Sequence, residues 1–90
     1  MGLRQNFHFK FSAEEDVRAF LRSLSHSAIV NDRADFFVFS QLNGQPSFTF
    51  DCTLVPEGIH SERGGNYFAF LGLFIESITG QFGRVEVEDL

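Results

Sequence analysis

Between residues 6 and 11 the chain reads Asn-Phe-His-Phe-Lys-Phe, with Phe7, Phe9 and Phe11 alternating with polar residues. Side chains on a strand point to opposite faces in turn, so this spacing puts three rings on one side and predicts a strand over 6–11 with one buried face. The same alternation returns at Phe37 and Phe39, and again at Phe48, Phe50, Cys52 and Leu54. Asn43-Gly44 stands between those two runs and marks a tight hairpin, because both residues tolerate positive φ. Strands are therefore expected over 36–42 and 47–55. Phenylalanine supplies 13 of the 90 residues and tryptophan none, so the core has to be built from rings without a polar handle. Ninety residues suffice for one domain, covering 1–90.

The hairpin loop sets which residues face each other. A two-residue loop pairs Phe39 with Phe48, and Phe37 with Phe50. A four-residue loop over 43–46 pairs Phe39 with Phe50, and Phe37 with Cys52. Both registers turn Phe37, Phe39, Phe48, Phe50 and Cys52 inward, and both leave Phe36, Val38, Ser40 and Leu42 on the opposite face.

Helical spacing appears twice. Ser12 and Glu15 match a capping box, and Val17, Phe20, Leu21, Leu24 and Ala28 form one apolar stripe behind it. Residues 66–79 predict a second helix with Asn66 as its cap. Its stripe is Tyr67, Leu71, Phe74, Ile75 and Ile78, continuing to Phe82, and Phe70 and Leu73 project away from it. Residues 31–35 read as a polar connection and 56–65 as a long loop. Residues 84–88 close the chain as a strand. The resulting order, β-α-β-β-α-β, resembles that of ferredoxin-like domains. It implies an α+β fold with a four-stranded antiparallel sheet and two helices on one face.

Charge excludes some functions. Seven Lys and Arg stand against twelve Asp and Glu, a net of −5, and only Arg63 and Arg84 are basic after residue 45. A nucleic-acid binder needs clustered cations to displace phosphate counterions, so no nucleic-acid partner is expected. The single Cys52 cannot form an internal disulfide, no secretory leader opens the chain, and no apolar run approaches membrane-spanning length. The expected setting is cytoplasmic, with no membrane partner. His8, His26 and His60 lack metal-ligand spacing, so no metal and no cofactor are expected.

Two candidate surfaces remain. Phe36 and Val38 on the outer sheet face, with Phe70 and Leu73 on the second helix, predict an apolar interface for a homodimer or a protein partner. Arg63, Gly64, Gly65 and Asn66 precede a helix N-terminus, whose free amides suit an anion. Two imidazole–carboxylate pairs, His8 with Asp51 and His60 with Glu62, are the candidates for general-base chemistry. The expectation is a small non-catalytic interaction domain that self-associates through its outer sheet face. The alternatives are an anion sensor built on the 57–66 loop, or an acidic inhibitor or immunity-type protein that binds a basic partner.

Overall fold

The phenylalanine alternation does build a sheet, and the sheet has six strands. A computed structural model describes residues 3–90. It comprises β1 (Leu3–His8), α1 (Glu14–Ser23) running into a 3₁₀ turn (Leu24–His26), β2 (Ile29–Asp32), β3 (Phe36–Ser40), β4 (Phe48–Val55), β5 (Gly58–Gly65), α2 (Phe68–Phe82) and β6 (Glu86–Asp89). The strands lie in the order β2-β3-β4-β5-β1-β6, every neighbouring pair antiparallel. The fold is α+β, but the four-stranded ferredoxin-like sheet expected from the sequence does not form.

Two strands make the difference. The segment read as a loop is β5, which sits in the middle of the sheet and pairs with β4 on one side and β1 on the other. Its inward side chains are Ile59, Ser61 and Arg63, so it has no apolar alternation to announce it. Its neighbours impose the extended form by satisfying its backbone groups on both edges. The polar connection at 31–35 is partly β2, a short edge strand whose Asp32 lies opposite Phe37.

Two glycines let β5 enter and leave the sheet. Gly58 has φ +150, and a Cβ there would stand 2.1 Å from the Phe7 carbonyl oxygen. Gly65 has φ +74, and a Cβ would approach the Ser47 carbonyl oxygen to 2.7 Å, at the point where the chain turns up into α2. Asn66 then donates its backbone N–H to that same Ser47 oxygen at 2.9 Å rather than serving as a cap.

Of the two hairpin registers, the structure adopts the one with Phe39 opposite Phe50 and Phe37 opposite Cys52. Both helices cover the face that carries these residues. From α1 come Val17, Phe20 and Leu21, but its N-cap is Ala13, without a side-chain cap, so the Ser12 capping box does not form. Glu14, Glu15 and Asp16 in the first turn favour the helix dipole instead.

The stripe of α2 is rotated from the expected one. Phe70, Phe74 and Ile78 are buried at i, i+4 and i+8, whereas Ile75 is exposed. Phe70 therefore belongs to the core, with its ring 5.1 Å from that of Phe39, 5.3 Å from Phe48 and 5.1 Å from Phe50. A helix apolar nearly all round offers several stripes of equal merit, and the sheet beneath selects among them.

Charged contacts fasten α1 to the β2–β3 turn. Arg18 Nε donates to the Ala34 carbonyl at 3.0 Å and its guanidinium pairs with Asp35, while Arg22 Nε donates to Asp32 Oδ2 at 2.6 Å. The hydrogen bond from Arg22, followed by that from the Ala34 amide, holds the Asp32 carboxyl below the usual range. A carboxyl whose pKa is lower folded than unfolded stabilises above its unfolded value, about 3.9, and that contribution disappears as pH falls through the folded value. Asp32→Asn should therefore lower the melting temperature at neutral pH. The gap from the parent should narrow as pH drops below about 4, measured by thermal melts across pH.

Candidate functional site

The sheet face opposite the helices is open. Across it the register aligns Asn31, Val38, Asp51, Glu62 and Arg4 in one row, and Phe36, Thr53, His60, Asn6 and Glu88 in the next. His60 Nδ1 lies 2.8 Å from Asn6 Oδ1. Asn6 Nδ2 donates to Glu88 Oε1 at 3.5 Å, and His8 Nε2 lies 3.0 Å from that same oxygen. The network thus runs from β5 through β1 to the edge strand β6. The hydrogen bonds from His8 and then from Asn6 hold the Glu88 carboxyl below its ordinary value.

Asp51 and Glu62 stand directly opposite each other on β4 and β5. Partial burial, and then the charge of Glu62, pushes the Asp51 carboxyl up. Ionising a carboxyl raised in the fold costs stability as pH rises through that value. Asp51→Asn should therefore stabilise the domain at pH 7 by about 0.2–1 kcal/mol, the usual scale for a cross-strand charge pair. The gain should shrink as acid protonates Asp51; urea melts at neutral and acidic pH check it.

The strand positions of this face carry the carboxylates of Asp51, Glu62, Glu86 and Glu88; Arg4 reaches Glu62 at 3.9 Å, and Arg84, just before β6, reaches Glu86 at 3.3 Å. Around α1, Arg18 and Arg22 pair with all of Glu14, Glu15, Asp32 and Asp35, whereas on the open face Asp51 has no cationic partner among the described residues.

The general-base pairs expected from the sequence do not assemble. His8 is separated from Asp51 by the whole of β5 and meets Glu88 instead, and His60 bonds Asn6 rather than Glu62. A groove of about 520 Å³ opens beside His8, lined also by Phe9, Phe82, Lys10, Arg84 and Glu86 among others. Cys52 is fully buried, and burial pushes its thiol well above the ordinary range, which leaves it a small hydrophobe. Among the described residues no three His, Cys, Asp or Glu side chains come together as a metal site, and no helix is long and apolar enough to cross a membrane.

The four residues singled out as an apolar interface do not share one surface. Phe36, 39% exposed, and half-buried Val38 lie on the open face. Ile29 on β2 is 53% exposed and extends that apolar end; it lies between the stripe ending at Ala28 and the connection expected at 31–35, where no strand is expected from the sequence. Leu73, 36% exposed, sits on the helical side, where it lines a cavity of about 410 Å³ with Asn66 and the edge of Phe70. Of the anion-site residues, Gly64 and Gly65 end β5 and Asn66 is exposed beyond it. Arg63 alone points into the core. Asn6, His60 and Glu88 were missed as a group, since only a strand at 58–65 brings them side by side.

No protein-family model matches the chain, no curated protein matches its sequence, and no solved structure matches its fold.

Proposed function

We propose that this chain is a non-catalytic interaction domain that receives a basic protein partner on its open sheet face. The observation that carries the reading is the imbalance there: four carboxylates, Asp51, Glu62, Glu86 and Glu88, against the two guanidinium groups of Arg4 and Arg84. A patch with an excess of one sign raises the encounter rate with a partner of the opposite sign and repels one of its own. That argues against a second copy on the same face. A two-fold stack would set these carboxylates against their own images, each close pair costing about 1 kcal/mol at water's dielectric and about 4 near a protein surface. Phe36, Val38 and Ile29 supply an apolar end that a partner can cover. A cytoplasmic setting belongs to the reading, in keeping with the lone, buried Cys52.

The test is affinity capture from cells that make the protein, with a Glu62→Lys, Glu88→Lys double variant alongside. Both positions are exposed, so the variant should stay folded despite losing the His8 and Asn6 bonds to Glu88, and its melt is recorded beside the parent's. The parent is expected to retain a basic protein that is released by raising salt, and the variant to lose it. Retention of the same protein by the variant, at the same salt, contradicts the reading.

A further inference from the structure

Arg63 is 3% exposed, and its Nε and Nη1 are buried with no hydrogen-bond partner among the described residues. Its guanidinium carbon lies 5.5 Å from the centroid of the Phe50 ring and 5.2 Å from that of Tyr67. Two residues back on the same inward face of β5, the Ser61 hydroxyl is also buried without a partner. Two adjacent inward side chains on one central strand thus leave three donor or acceptor atoms unused. Native interiors leave very few such groups, and buried guanidinium nitrogens without a partner are among the most costly.

The stacked rings offset only part of that cost, since each cation–π contact is a modest attraction. The nearby carboxylate that acts on Arg63, Asp89, is hydrogen-bonded by Gln5 rather than by the guanidinium. Tyr67, which stacks on Arg63, is also the residue that opens α2. The first turn of α2 has neither a side-chain cap nor an acidic residue, in contrast to the three acids at the start of α1. Tyr67 thus has its ring against a buried cation and its backbone at the positive end of a fifteen-residue helix, and both favour negative charge. In the register row of Arg63 the next position toward the sheet edge is Leu3, which is half exposed and lies beyond the end of the β1–β6 pairing.

We propose that Arg63 anchors a small-oxyanion site at the N-terminal end of α2, with the Ser61 hydroxyl as a second donor and a carboxylate or phosphate group as ligand. The site is on the helical side of the sheet and is independent of the open acidic face.

The experiment follows the Arg63 Nε–H resonance of the ¹⁵N-labelled protein, and its melting temperature, on adding sodium phosphate or sodium acetate. Sodium chloride at equal ionic strength is the control. Phosphate or acetate, whichever matches the ligand's chemistry, should shift the Nε–H signal saturably and raise the melting temperature by about 5 °C or more near saturation. Arg63→Met keeps the side chain's length without its donors, and it should abolish the anion-dependent rise. The proposal is overturned if neither anion moves the Nε–H signal beyond the chloride control. It is overturned equally if the methionine variant, folded, gains as much from the anion as the parent. Should that variant not fold, the Nε–H titration of the parent decides alone.

Discussion

Gly58→Ala is expected to cost on the order of 4 kcal/mol, a large share of the domain's total stability. The residue begins β5 at φ +150, a backbone conformation closed to side chains bearing a Cβ. The added atom would also stand 2.1 Å from the Phe7 carbonyl oxygen and 2.9 Å from the Phe9 ring. A ring edge can move aside, but the Phe7 carbonyl belongs to β1, whose pairing with β5 holds the two halves of the sheet together. Either β5 shifts or β1 does, and a one-residue shift would turn Arg63 and Ser61 to the open face. Gly72→Ala is the control: its Cβ would meet nothing within 4 Å, and replacing a mid-helix glycine should gain about 0.5–1 kcal/mol. Equilibrium urea unfolding of the two variants should move the midpoint in opposite directions.

The second large effect is at Phe74. Its side chain is fully buried, and its ring lies 4.9 Å from that of Phe50, 5.3 Å from Phe7, 5.9 Å from Phe20 and 6.3 Å from Phe70. It thereby joins β1, β4 and both helices through one side chain. Truncation to alanine removes the transfer free energy of a ring and leaves a cavity that rigid aromatic neighbours fill poorly, a loss of about 3–5 kcal/mol. A domain of this size has a total stability of about 5–13 kcal/mol. Phe68→Ala, whose ring is exposed on the same helix, should change stability by less than about 0.5 kcal/mol. Thermal melts of the pair measure the difference, and equal effects would contradict the placement of Phe74 in the core and Phe68 outside it.

What was legible in the sequence was whatever the hydrophobic pattern had to encode. Phe7, Phe37, Phe39, Phe48 and Phe50 declare β1, β3 and β4, and the Asn43-Gly44 turn narrows their register to two choices. β5 escaped because its inward positions are held by Ile59, Ser61 and Arg63 and its ends by glycines. A strand clamped between two neighbours can form without carrying its own apolar signal. Missing β5 placed β1 beside β4, and that error generated both the ferredoxin-like topology and the His8–Asp51 pair. The same omission hid the His60–Asn6–Glu88 network and made Arg63 look like a loop residue. The apolar end of the open face was legible at Phe36 and Val38 because the hairpin fixes their direction in either register. Phe70 was misplaced for a different reason: a helix with apolar residues on most sides does not specify which stripe faces the sheet.

The central claim is that the open, acidic sheet face is the binding surface. Its most direct test is an amide chemical-shift map of the ¹⁵N-labelled domain, recorded as the basic protein retained by capture is added. The predicted perturbations concentrate on Val38, Asp51, Thr53, His60, Glu62 and Glu88, and they weaken as salt is raised. Perturbations confined to α1 and α2, or unchanged by salt, would contradict it.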